Sequence, residues 1–325
     1  MIRNQWYAVL PSKAVKKGGI LAARRIGIDL AFFRTEDGMP GCVADQCTHR
    51  GAALSKGKIN GGCIQCPFHG LLFETDGRCR FIPANGISSK EDISRYNVRH
   101  YPVREANDIL YIWYGDNAMV DDELPFFGGY VDDTYAYSEI EDHWNSHYSR
   151  SIENQLDVVH LPFVHYNTIG KGNKTLVNGP KVIVEGKSIT TSANNAVDSG
   201  QIPKSAEECH INPTFVQFKF PNVWMNNISD KLKVMIYFAP VDDENTILYI
   251  RFYCKLSKIR ILNRIVAYFG KFGNRTIERQ DKKVVETQKP KASALKSDEK
   301  LIPGDRPIVE YRRIREALKK EAGQT

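Results

Sequence analysis

Residues 47–70 read CTHRGAALSKGKINGGCIQCPFHG, which puts Cys47 two positions before His49 and Cys66 three positions before His69. One thiolate and one imidazole from each of two short segments make a four-donor set suited to a metal centre. Zinc accepts the same four donors. What favours a cluster over a zinc knuckle is the chain around them: Gly51 and Gly70 follow the histidines closely and Pro67 stiffens the second segment, as two tight closing loops require. Cys63 and Cys66 also form a CxxC pair, the spacing of a redox disulfide, although the paired-loop pattern specifies Cys66 more fully. The remaining cysteines, Cys42, Cys63, Cys79, Cys209 and Cys254, are expected to be free thiols acting as small hydrophobes. An odd total of seven speaks against a secreted disulfide framework.

A second constellation lies in ENQLDVVHLPFVH, residues 153–165. The surrounding run HWNSHYSRSIENQLDVVH reads as one helix with Ile152, Leu156 and Val159 on one side. On such a helix Asn154, Asp157 and His160 share a face, and Pro162 would distort the chain enough to bring His165 toward the same point. Two histidines with one carboxylate from elsewhere form a facial triad, which leaves positions open for dioxygen at Fe(II). Taken alone, a helix bearing two histidines and an aspartate is more often a polar surface. His143 and His147, spaced i,i+4, are a rival pair, and His100 and His210 have no supported role.

The CTHRG and CPFHG segments resemble the CxH and CxxH loops of Rieske iron-sulfur proteins, and NxxDxxHxxxxH resembles the catalytic motif of the Rieske non-haem iron oxygenases. By that resemblance Cys47 and Cys66 hold one iron of a [2Fe-2S] cluster and His49 and His69 the other, and the neutral imidazoles raise its potential. Leu71 departs from the family, whose oxygenases usually carry Trp after the HG pair. His160 and His165 are the expected ligands of a mononuclear Fe(II), and TIERQDKKVVETQKP matches the late helix that supplies the third, so Asp281 is the candidate and Glu278 the fallback. The resemblance also implies that Asp157 bridges the two centres, pairing with a cluster histidine of a neighbouring subunit, with Asn154 in support. Dioxygen and a small organic molecule are the expected substrates. Electrons come from NAD(P)H through a separate reductase, with or without a ferredoxin, since no GxGxxG segment is present. The length suggests the homotrimeric monooxygenase and demethylase branch, with head-to-tail contacts between subunits. The competing readings are a ring-dihydroxylating dioxygenase α subunit and a Rieske electron-transfer protein without catalysis.

These residues need two different scaffolds. Turn signals such as KKGG, EDGMPG and TDGR between short β-branched and aromatic runs predict an all-β domain over residues 1–116, including a short N-terminal element. Over 117–325 the strand-like runs KVIVEG, SITTSA, TFVQFKF, LKVMIYFAPV and TILYIRFYCKL, with DDEN as a hairpin turn, predict an antiparallel sheet gripped by helices. Gly270 and Gly273 are expected to interrupt the helical segment that follows. The fold class is therefore α+β, and the resemblance makes the second domain a helix-grip fold of the START/Bet v1 kind. Phe163, Trp224, Asn226, Phe238 and Tyr249 are candidates to line its pocket, although aromatic residues on a sheet are more often core.

No apolar run approaches the ~20 residues of a membrane span, and the opening residues lack the apolar core of a signal peptide, so the cytoplasm is the expected compartment and no membrane is expected as a partner. The net charge of +7 is uneven: residues 251–325 hold 20 Lys or Arg against 9 Asp or Glu, which leaves the first 250 residues acidic. With no zinc finger, ribonucleoprotein motif or heptad series, nucleic acid is not an expected partner. An acidic ferredoxin or reductase is.

Overall fold

The computed structural model describes residues 1–324. The chain divides into two compact units, Arg3–Leu124 and a second from Pro125 onward. The first holds three small antiparallel sheets. One is built from β1 (Gln5–Pro11), β9 (Val103–Ala106) and β10 (Ile109–Tyr114), and the next from β2 (Ile20–Arg25), β3 (Ile28–Arg34) and β4 (Pro40–Ala44). The third sheet has β5 (Lys58–Asn60), β6 (Cys63–Gln65), β7 (Leu72–Phe73) and β8 (Cys79–Phe81). Its apolar core gathers Phe33, Val43, Leu54, Ile64 and Phe73 together with Cys47, Cys66 and Leu71. Leu71, the residue that departs from the family pattern, is thus a packed core side chain, and its carbonyl accepts the Cys66 N–H at 2.8 Å.

The second unit is organised on one seven-stranded antiparallel sheet. Its strands are β11 (Ala136–Trp144), β13 (Val182–Glu185), β14 (Ser188–Thr191), β16 (Phe215–Lys219), β17 (Val223–Ser229), β18 (Leu232–Pro240) and β19 (Thr246–Cys254), in the order β11-β19-β18-β17-β16-β14-β13. A two-stranded ribbon, β12 (Leu176–Val177) with β15 (Asn195–Ala196), stands apart from it. The helices are α1 (Tyr148–Leu156), the single turn α2 (Leu161–Val164), the long α3 (Arg260–Val285) and α4 (Arg306–Glu321). Among the described residues no helix is long and apolar enough to cross a membrane.

Three expectations change. The helix read from His143 to His160 is three pieces: His143 and Trp144 belong to β11, paired with Ile247 and Thr246, and α1 starts only at Tyr148. His147 caps α1, its ring nitrogen accepting the Ser149 N–H, so the two rival histidines do not share a helix. Ile152 and Leu156 are buried on α1, whereas Val159 lies beyond its end. Second, α3 runs unbroken through Gly270 and Gly273. A Cβ on Gly270 would meet the Phe252 ring at 2.5 Å, so this glycine permits close helix-on-strand packing instead of breaking the helix. Third, β11 and β17 are strands that local pattern did not reveal. The first and last strands of this sheet in chain order are paired in register along β11 and β19, from Ala136 with Cys254 to Trp144 with Thr246.

Candidate active site

In the first unit the two ligand loops repeat one backbone scheme. The Cys47 N–H donates to Ala52 O and the Gly51 N–H to Cys47 O, each at 2.8 Å; the Cys66 N–H donates to Leu71 O and the Gly70 N–H to Cys66 O, at 2.8 and 3.1 Å. Both glycines have left-handed backbones, φ +74° and +76°, a region that a side chain disfavours. The loops thereby aim two buried thiols inward and two exposed imidazoles outward, with the His49 and His69 ring centroids 4.6 Å apart. Burial, together with the adjacent Cys66 thiol, pushes the Cys47 thiol up to about 11. A buried thiol that holds its proton this firmly, with a second buried thiol beside it, fits a metal that takes the proton's place. Cys63, Cys79, Cys42, Cys209 and Cys254 are all buried and unbridged, as small hydrophobes would be. The Cys63–Cys66 pair is not a disulfide in this structure.

The second unit encloses a cavity of about 690 Å³. Alternate residues of the central strands face it, Trp224, Asn226 and Ile228 on β17, Val234 and Ile236 on β18, Leu248 and Ile250 on β19, as a period of two dictates. On α3, Asn274, Ile277, Glu278 and Asp281 face it at helical spacing. Of the aromatic candidates, Trp224 lines the cavity, as does Asn226. Tyr249 does not, because it alternates with Leu248 and Ile250 and pairs with Tyr237 on the other face. Phe238 shares the parity of Ile236 but sits beyond the cavity, and Phe163 is exposed on α2.

At one end of this cavity His160, His165 and Asp281 come together, with one donor atom from each lying within 4.8 Å of the others. Asp281 Oδ1 is 2.9 Å from His165 Nε2 and 3.5 Å from His160 Nε2. His160 and His165 flank the single turn α2, which has Pro162 as its second residue, and α3 brings Asp281 across from 116 positions further along the chain than His165. His165 Nδ1 lies 2.9 Å from Gln280 Oε1, an oxygen that also accepts from Thr168. In the neutral ring this pairing puts the proton on Nδ1 and turns the Nε2 lone pair toward Asp281. Burial acts to lower the His165 pKa, but Asp281 and Gln280 outweigh it and hold the imidazole above its ordinary value. Asp281 Oδ1 is buried without a hydrogen bond of good geometry, and Gln155 Nε2 donates to its other oxygen at 3.2 Å. Two imidazole nitrogens facing an orphaned carboxylate oxygen fit a cation such as Fe(II).

Sequence reading missed Gln155 and Gln280, which orient the carboxylate and one imidazole. Nothing in their local spacing marks them; each flanks a motif residue by one position. Asp157 is not on the helix face but caps the C-terminus of α1, its Oδ1 accepting the Val159 N–H and its Oδ2 lying 3.4 Å from His160 Nδ1. Asn154 faces the cavity with its Nδ2 buried and unpartnered. Glu278 stands outside the three-residue group: its Oε1 accepts from Trp144 Nε1 at 2.9 Å, and burial with Asp142 alongside keeps its carboxyl protonated well above the ordinary range. His143 pairs with Glu141, His100 lies against Asn117, and the His210 carbonyl accepts from Asn194, so none of them joins the site.

Comparisons with known proteins agree with both halves. The family description Rieske [2Fe-2S] domain matches residues 5–102, and Vanillate O-demethylase oxygenase C-terminal domain matches residues 144–321. The oxygenase component of dicamba O-demethylase from Stenotrophomonas maltophilia is 36% identical over 167 residues, 50% of this chain and 48% of that protein. The oxygenase component of chloroacetanilide N-alkylformylase from Rhizorhabdus wittichii is 35% identical over 167 residues, 50% of this chain and 47% of that one. These matches thus span about half the length of each curated relative. The structure of NdmA from Pseudomonas putida CBB5 with caffeine shares the fold at a TM-score of 0.80 and 22% identity, covering 99% of this chain and 92% of that one.

Proposed function

This chain belongs to the Rieske terminal oxygenases with a catalytic half of the vanillate O-demethylase type, and from that premise we propose that it hydroxylates, or O- or N-demethylates, a small organic molecule. The observation that carries the reading is the buried His160, His165 and Asp281 group opening onto a cavity of about 690 Å³. A plain electron carrier needs neither.

Cys47, His49, Cys66 and His69 would hold the cluster, and His160, His165 and Asp281 the mononuclear iron; when bound, these groups supply single electrons and dioxygen activation. The protein's own contribution is positional. Gln280 fixes the tautomer of His165, Gln155 holds Asp281, and the strand side chains exclude water around the substrate. Asp157 Oδ2 lies 3.4 Å from His160 Nδ1 within the chain, and its carboxylate has capacity for a second imidazole, His69 of a neighbouring chain in a head-to-tail trimer. A separate reductase, with or without a ferredoxin, is the electron source, and the basic residues beyond position 277 are its docking surface.

Iron analysis of anaerobically purified protein tests the reading: an oxygenase holds about three irons per chain and a carrier about two. Substrate-dependent dioxygen uptake with formaldehyde release then separates demethylation from hydroxylation. Asp157→Asn should keep both metals yet lose coupled turnover, and full activity in that variant would refute the bridging role.

A further inference from the structure

We propose that the cavity selects a neutral, largely apolar ligand bearing a carbonyl-type acceptor and rejects carboxylates and sulfonates; this deepens the oxygenase reading and rests on it. Its walls are largely apolar, with Leu161, Ile228, Ile236, Leu248 and Ile250 among them beside Trp144, and among the described residues no Lys, Arg or Tyr lines it. Its acidic side chains are Asp157, Asp281 and Glu278. An anion would therefore leave water for an apolar space that offers it no Lys or Arg, the metal group of His160, His165 and Asp281 as its one positive centre, and carboxyl groups close by. What the cavity does offer is unpartnered polarity. Trp224 Nε1, Asn154 Nδ2 and Asn274 Nδ2 are buried donors without a hydrogen-bond partner among the described residues, and Asn226 Oδ1 is a buried acceptor in the same condition. Apart from His160 Nδ1 and Asp281 Oδ1 of the metal group and Glu278 Oε2, which are also unpartnered, these three donors and one acceptor call for an acceptor-rich neutral molecule, because each orphan it satisfies strengthens binding.

Calorimetric titration of the oxidised, anaerobic holoprotein with two probes of one skeleton, an acetyl-methoxynaphthalene and the matching methoxynaphthoate, tests this without turnover. The ketone should bind at least roughly tenfold more tightly than the carboxylate. Trp224→Phe should weaken the ketone but leave methoxynaphthalene itself unchanged. Equal or tighter binding of the carboxylate, or no binding of the ketone, overturns the ligand class. Iron counts on the same samples separate the two claims: a missing mononuclear iron sinks the oxygenase reading, whereas lost charge selectivity with three irons present sinks only this one.

A different surface carries a second inference: the geometry points to the first half of α3 resting on an anionic lipid surface. In that half only Asn263 and Ala267 are buried, small residues that seat the helix close to the sheet. Ile261, Leu262, Ile265, Tyr268, Phe269 and Phe272 recur at i, i+1, i+4, i+7, i+8 and i+11, a single stripe directed away from the sheet. All six are exposed, Ile261 by 65% and Phe269 by 64%. Residues 255–277 also carry Lys255, Lys258, Arg260, Arg264, Lys271 and Arg275 and no Asp or Glu. A second copy of the same face would meet like charge, and an acidic protein would answer the cations but not the apolar stripe. An anionic bilayer surface answers both, with the helix lying in its plane and nothing spanning it.

The protein should float with vesicles of phosphatidylcholine containing one-third phosphatidylglycerol, less so with phosphatidylcholine alone, and less at high salt. Ile265→Glu with Phe269→Glu should abolish flotation while iron content and circular dichroism stay unchanged. Failure to float, or flotation that survives the double substitution, overturns the inference. So does an oligomer that the double substitution dissociates, since that result gives the face to a second copy.

Discussion

The four residues proposed for the cluster lie between positions 47 and 69 and are held by the hydrogen bonds of their own two loops, whereas the three proposed for the mononuclear iron span positions 160 to 281 and meet only because α3 packs beside α2. The first site is a repeated local device: two loops, one bonding scheme, one left-handed glycine each. It places its imidazoles at the surface, where electrons can leave. The second is a tertiary device whose ligands are turned by glutamines at 155 and 280, and it places them deep, beside a cavity. The difference teaches that a group handling electrons needs an outlet, whereas one handling substrate needs enclosure.

Separate substitutions test whether the two sites are independent. The largest expected effect is reciprocal: Cys66→Ser should remove the cluster and leave about one iron per chain, whereas Asp281→Ala should keep the cluster spectrum and about two. Loss of both centres from either substitution would break the comparison. Next, Gln280→Ala should cut mononuclear iron affinity by about 10- to 100-fold in chelator competition, with the cluster spectrum untouched. Gly70→Ala should act on the other site alone. A Cβ there meets Pro83 at 3.1 Å on a left-handed backbone, so the cluster loop should lose about 1 kcal/mol, seen as faster cluster loss on heating.

The smallest effect concerns pH. Glu278, raised by burial and then by Asp142 from 4.5 to about 8, keeps a proton that the unfolded chain releases. Its contribution to stability is therefore fully present below pH 4.5 and is lost as the pH rises through 8. Glu278→Gln, which can still accept from Trp144, should flatten the fall in melting temperature across that window. An unchanged slope would show that the carboxyl is ionised in the fold.

The cluster loops were legible in the sequence because donor spacing, glycines and proline all lie within one short segment. His160, His165 and Asp281 were proposed as a metal group through resemblance, and the structure brings the three together; spacing alone misplaced the helix leading to His160. Residues 143–160 look helical by period, yet Trp144 is drawn into β11 by pairing with Thr246, and no local pattern can announce a partner 102 positions away. Gly270 shows the same limit from the other side: its propensity says break, and the Phe252 ring decides otherwise.

By itself, then, the sequence determined the donor chemistry, the order of an all-β half before a mixed half, and the basic C-terminal quarter. Those properties reside in residue type and short-range spacing. Only the tertiary structure decided that Asp281 stands beside His165, that Gln155 and Gln280 orient the pair, and that Trp224 and Asn226 face the cavity while Tyr249 turns away. Those follow from strand register and helix packing, in which a shift of one residue exchanges the inner face for the outer.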